Sequence, residues 1–421
     1  MPVQRMTPLQ LAIQFFLQIG LILLFCRVVG LVAARFGQPQ VVAEMIAGVF
    51  LGPSLLGVLW PQAAATLFPA DSLRVLFPVS QLGLALYMFV VGLEFRIDIL
   101  GKRVRSSVAV SSAGMIMPFV LGVLLGLYFH QNTELFPSKT TMLEASLFMG
   151  ASMCITAFPM LARIIHFKGL AGTTMGTVAL GAGAIDDAMA WCLLAIVLAS
   201  FTGDFSQAMW SVGGGIVYVF LALWVIRPLM VRWARGVEQR GELSESEFVF
   251  CLALLALGAW FTDLIGLHAV FGSFIMGAAM PRGVVHLALI QRIQPLTVAL
   301  LLPLFFTYSG LNTKMGLIDS PYLWALAAVV LAAAVFGKAI ACWLAALWTG
   351  ISNREAMGIG ILMNARGLME LIIINIGLQK GIISPALFAI LVIMAVLTTL
   401  MASPVFERLV GSGRYQPEPG A

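Results

Sequence analysis

The sequence predicts an all-α polytopic membrane protein of about thirteen transmembrane helices, built as an inverted repeat of six plus six around a linker helix. Three observations carry that prediction. Of 421 residues, 61% are hydrophobic and only 10% charged, against about 25% charged in soluble domains. With a mean hydropathy of +1.00, the chain has too little polar surface to coat a water-soluble body, so the bilayer must act as its solvent. Apolar runs of about 18 to 25 residues recur from end to end, the length that spans a hydrocarbon core. The loop cations, finally, alternate in density from one break to the next.

In chain order the runs lie near 9–33, 39–59, 73–93, 106–129, 143–165, 170–201, 207–230, 247–265, 267–280, 293–311, 321–349, 355–378 and 384–408. The first continues past Phe25 without a small-residue cleavage site, so it reads as a span rather than a signal peptide. The ninth is short for a full crossing and is expected to be tilted or broken. Residues 1–408 therefore read as one transmembrane domain and 409–421 as a short cytoplasmic tail. Five cysteines (Cys26, Cys154, Cys192, Cys251, Cys342) stand singly in apolar runs and are expected as small core residues, without disulfide or metal spacing. No cofactor is expected.

With thirteen spans, one side of the membrane receives Arg35, Arg96, Lys102, Arg103, Arg105, Arg163, Lys168, Arg227, Arg232, Arg235, Arg240, Arg282, Arg292, Arg354, Arg408 and Arg414. The other receives Arg5, Arg74, Lys139, Lys314 and Lys380, and Arg27, Lys338 and Arg366 lie within apolar runs. The positive-inside rule then puts the N-terminus outside and the C-terminus in the cytoplasm. The net charge of +5 reflects these basic loops, and no nucleic-acid partner is expected.

If the span at about 207–230 is a linker, the halves at about 9–201 and 247–408 enter the membrane with opposite orientation. Inverted repeats with interrupted helices at the midplane are a common plan for secondary transporters. The fifth span of each half is interrupted. One reads ASMCITAFPMLAR, with Pro159 mid-span, and the other ILMNARGLMELII, with Asn364, Arg366 and Gly367. Proline lacks the N–H and blocks a helical bond, leaving carbonyls free near Cys154 and Ile155.

The sixth span, GTVALGAGAIDDAMAWCLLAIVL, carries Asp186 and Asp187 near its centre. Ionised carboxylates at that depth are costly and point to function. Adjacent residues lie about 100° apart on a helix, so one acid is expected to face a partner helix and the other a cavity. Close carboxylates oppose each other's charge, which makes the pair proton-exchangeable near physiological pH. The preceding GAG is expected to let another backbone pass close. Lys338, mid-span in AAAVFGKAIACW, is too deep to snorkel and calls for a salt bridge to that pair. A cation would compete with the bridge, and protons with the cation. Arg366 and Glu370 are spaced i,i+4 and read as a pair that stabilises the break. Thr156 offers a hydroxyl either to a cation or to its own helix.

The ordered segments IAGVFLGPSLLG, MFVVGLEFRID, ITAFPMLARI, AIDDAMAW, FGSFIMGAAMPRG, PLFFTYSGLNT and MNARGLMELIIINIGL resemble the second monovalent cation:proton antiporter family, with its plant cation/proton exchangers and bacterial potassium- or sodium-proton antiporters. The resemblance implies a homodimer in a bacterial inner (plasma) membrane, with a dimerisation domain and a moving core in which the two broken spans cross. It implies Na⁺ or K⁺ and H⁺ as substrates, with lipid as surroundings. It matches Asp187 to the ion- and proton-binding aspartate, Lys338 to the lysine that bridges the neighbouring carboxylate, and Thr156 to a threonine near the ion. Asp186 stands where the plant exchangers commonly have Asn, which resembles members that move more than one proton per cation. Two readings compete with exchange: a cation channel or sodium-coupled symporter on a related fold, and an intramembrane aspartyl protease. The protease chemistry needs two acids facing each other from different helices, which adjacent acids on one helix do not provide.

Overall fold

The computed structural model describes residues 6–35, 38, 40–94, 97–202, 206–311 and 320–411. Arg5, Arg96, Lys314 and Arg414, and the tail beyond Gly411, lie outside them. Among the described residues every regular element is a helix. In order the helices are α1 (Pro8–Ala34), α2 (Gln40–Leu51), the short α3 (Leu56–Leu59) and α4 (Pro61–Leu67), α5 (Ala70–Glu94), α6 (Ile97–Asn132), α7 (Met142–Cys154), α8 (Phe158–Phe167), α9 (Thr174–Thr202), α10 (Ser206–Phe220), α11 (Arg227–Arg240), α12 (Glu245–Leu264), α13 (Ala269–Ala279), α14 (Val284–Leu296), α15 (Leu302–Leu311), α16 (Pro321–Trp348), α17 (Asn353–Leu362), α18 (Leu368–Gln379) and α19 (Pro385–Leu409). Wider π turns join α10 to α11 (Leu221–Ile226) and α14 to α15 (Thr297–Leu301). The second follows Pro295, whose missing N–H disturbs the bond ladder there.

Nine helical segments among the described residues are long and apolar enough to cross a membrane. The ninth apolar run is the single 11-residue helix α13, about 16 Å long at 1.5 Å per residue. The fifth and twelfth runs are each two short helices, α7 with α8 and α17 with α18. Side chains such as Leu9, Phe16, Leu24, Trp210, Trp224 and Phe336 are exposed, as lipid-facing residues must be.

The chain divides into two compact units: Met1–Arg35, Gln40–Phe95 and Trp210–Lys314 in the first, and Phe36–Pro39, Arg96–Met209 and Met315–Ala421 in the second. Each sequence half thus gives its first three spans to the first unit and its last three to the second. In the first unit, Ile22, Cys26, Ala47, Leu76, Leu304 and Leu311 form a buried cluster. There α2 lies so close to α15 that a Cβ at Gly48 would come within 2.7 Å of the Thr307 backbone.

In the second unit α6 is the central post, packed on α7, α9 and α16. Its contact with α7 depends on missing side chains: a Cβ at Gly122 would lie 2.5 Å from Met149 O, and one at Gly126 2.8 Å from Ala145 O. Small residues permit such backbone approach in membranes. At α9 one glycine of the GAG run, Gly183, faces side chains. A Cβ at Gly183 would meet the side chains of Leu161 (2.8 Å) and Phe158 (3.2 Å) of α8. Gly183 therefore makes room for two bulky side chains rather than for a passing backbone.

Candidate functional site

The site grows out of the two interruptions in the second unit. A capping box starts α7, where Thr141 and Glu144 satisfy each other's backbone N–H. The helix stops at Cys154, because Pro159 has no N–H for the carbonyl of Ile155 and its ring would clash with it. Ile155 and Ala157 are extended, and α8 begins with Pro159 in its first turn. Likewise α17 ends at Leu362, and α18 starts after Gly367, in extended backbone. The two breaks touch: Ala157 N–H donates to Ala365 O at 3.0 Å, and a Cβ at Gly367 would lie 3.0 Å from that of Ala157.

Breaking a helix exposes carbonyls that must be satisfied inside the protein. Here two cations take them. Arg366 Nη1 donates to Ser152 O (3.2 Å) and Nη2 to Met153 O (2.6 Å). Lys338 Nζ, from α16, donates to Cys154 O (2.5 Å). The negative end of α7 thus meets two positive charges. Arg366 is itself fixed by Glu370, 3.1 Å from Nη1, and by Thr399, whose hydroxyl accepts from Arg366 N–H (3.1 Å) and lies 2.7 Å from Arg366 O. Asn364 donates to Gly360 O (3.1 Å), inside its own helix end.

The acids of α9 meet this cluster unequally. Asp186, fully buried, receives Ser111 Oγ on Oδ1 (2.6 Å) and Thr156 Oγ1 on Oδ2 (2.6 Å). Lys338 Nζ is 3.4 Å from the same Oδ2, both side chains being fully enclosed. Asp187 is 2% exposed, and its Oδ1 has no hydrogen-bond partner among the described residues. The structure therefore brings Asp186, Thr156 and Lys338 together and sets Asp187 beside them. The Thr156 hydroxyl bonds Asp186 rather than its own helix.

A cavity of about 400 Å³ in the same unit has Ser111, Ser112, Cys154, Ile185 and Cys192 among its walls. It reaches two residues of the Asp186 cluster. Ser111 and Thr399 went unremarked in the sequence. Ser111 sits in VAVSSAGMIM, a hydroxyl pair inside an apolar span, and that was its available signal. Thr399 gives no such signal, since threonines in membrane helices commonly bond their own turn.

Enclosed acids and cations on helices that break and meet at their breaks inside an apolar bundle define a secondary transporter. The chain belongs to the transmembrane sodium/hydrogen exchanger family, which it matches over residues 20–410. It is 40% identical over 385 residues, 91% of this chain and 94% of the other, to the Na(+)/H(+) antiporter NhaS4 of Synechocystis sp.. It is 36% identical over 417 residues to cation/H(+) antiporter 17 of Arabidopsis thaliana; those cover 98% of this chain, which spans about half (50%) of that relative's length. In fold it is similar to the sodium proton antiporter MjNhaP1 of Methanocaldococcus jannaschii, with a TM-score of 0.64, 15% identity, and 96% and 99% of the two chains covered. The resemblance read from the ordered motifs holds. The protease reading falls with it, and Asp186 is met by hydroxyls and a lysine rather than by an opposing acid.

Proposed function

We propose that the chain exchanges a monovalent cation, Na⁺ or K⁺, for protons across the membrane by alternating access, with Asp187 as the group that holds ion and proton in turn. The observation that carries this reading is the inequality of the two acids. Asp186 already has three donors, whereas Asp187 presents a buried oxygen that no donor among the described residues satisfies. A buried carboxylate without a partner is costly, and a bound proton or a bound cation relieves that cost equally well. One site then serves two ligands, but never both at once.

Asp186 and Lys338 form the second half of the device. A cation entering beside Asp187 brings positive charge toward the Lys338 ammonium and weakens its hold on Asp186 and Cys154 O. Members that resemble this chain in carrying an acid at this position move more than one proton per cation, which favours an electrogenic cycle here. The second unit holds every one of these groups and is the body we expect to move, with the chain acting as a homodimer. The inverted repeat, the outside N-terminus and the cytoplasmic C-terminus belong to the same proposal. They are supported by the way each half divides between the units and by the loop charges.

The test is dequenching of a pH dye in proteoliposomes, with Na⁺, K⁺ and Li⁺ added in turn. Exchange predicts proton movement opposite to the cation, without an imposed voltage. A cation current independent of protons would favour the channel reading, and movement in the same direction would favour symport.

A further inference from the structure

The cycle leaves Glu370, a buried acid at the second break, without a role. Glu370 stands in the first turn of α18 with no exposed surface. Its Oε1 accepts from Arg366 Nη1 at 3.1 Å, and its Oε2 has no partner among the described residues. Pairing with Arg366, and sitting at the positive end of α18, requires only one of the two oxygens. The second is a buried acceptor left without a donor, which is costly in a low-dielectric interior. Ser152 Oγ is also buried and has no partner among the described residues. It belongs to the residue whose carbonyl shares Arg366 Nη1 with Glu370.

We propose that Glu370 is a second proton-binding group, separate from the aspartate pair, and that it conveys pH to the cation site through Arg366. A proton from the aqueous phase adds to Oε2, while Oε1 keeps its bond to Nη1. The ion pair becomes a neutral acid beside an uncompensated guanidinium. That full charge then bears on Ser152 O and Met153 O, adjoining the Cys154 carbonyl where the Lys338 ammonium docks. Added positive charge there opposes the entry of a further cation.

The charged groups that act on Glu370 are Arg366 and, from α16, Lys338. From α7 comes Ser152, whose carbonyl shares Arg366 Nη1 with Glu370; from α19 comes Thr399, bonded to the Arg366 backbone. The other acid of α7, Glu144, sits at its opposite end, and Glu407 of α19 is tied to Lys168. Glu370 is thus the acid whose charge balances Arg366.

The link to cation affinity rests on the aspartate site proposed above; the proton itself does not. Infrared difference spectra between acidic and alkaline purified protein should show protonated-carboxyl bands. Asp187→Asn should remove one and leave another, and Glu370→Gln should remove that second band. In proteoliposomes, Glu370→Gln fixes the neutral state, so the cation KM at alkaline pH should rise about fivefold or more and depend less steeply on pH. A band set unchanged by Glu370→Gln overturns the proposal, whatever becomes of the aspartates. If Glu370→Gln does not accumulate, Glu370→Asp should shift the midpoint of the band, and an unmoved midpoint overturns it equally.

Discussion

At the residue scale, two neighbouring aspartates with the same chemistry acquire different partners. Asp186 is held by Ser111, Thr156 and Lys338, so its charge belongs to the protein; Asp187 keeps an oxygen without a partner among the described residues. Removing one member of an enclosed ion pair leaves an uncompensated charge, at a cost of about 3–5 kcal/mol. Lys338→Met should therefore lower the melting temperature in detergent, and adding Asp186→Asn should restore most of it. Equal melting of Lys338→Met and wild type would show that the pair holds nothing together. The depth of Lys338 in an apolar run made its need for a counter-charge legible in the sequence. Which of two adjacent acids supplies it depends on the rotation of α9 against α16. The apolar face of α9 is too uniform to fix that rotation.

At the element scale, the breaks are the substance of the site. Pro159 announced its own interruption, because a proline cannot donate and crowds the carbonyl four residues back. The second break has no proline; it is held by the grip of Thr399 on both backbone groups of Arg366, and that reaches across 33 residues of sequence. The polar cluster around Asn364 and Arg366 marked the place without revealing the hold. The tight seam between α6 and α7 gives a contrast that can be measured. Gly122→Leu would drive a side chain into Met149 O and should leave little monodisperse protein after extraction. Gly20→Ala, on α1, meets nothing within 4 Å and should melt at or above wild type, since alanine favours a helix over glycine by about 1 kcal/mol. Comparable losses in both would mean the seam is not as tight as described.

At the scale of the whole molecule, the apolar runs and their charged breaks were legible from composition alone. The division of each half between two units was not, because it depends on contacts between segments more than a hundred residues apart. Orientation can be tested directly, since four of the five native cysteines are buried and Cys192 is half-buried, giving a low background. Lys139 and Arg235 are both exposed. Lys139→Cys should react with a membrane-impermeant maleimide added outside intact cells, and Arg235→Cys only after permeabilisation. The reverse pattern would invert the proposed topology.

The central claim is that cation and proton share Asp187, and the dependence of cation KM on pH tests it most directly. In proteoliposomes of the wild type, KM should rise as pH falls, approaching about tenfold per pH unit where a single proton fills the site, with little change in the maximal rate. Asp187→Asn, reconstituted to the same density, should show no cation-driven proton movement at any pH. Exchange that survives in Asp187→Asn, or a wild-type KM indifferent to pH, would contradict the account.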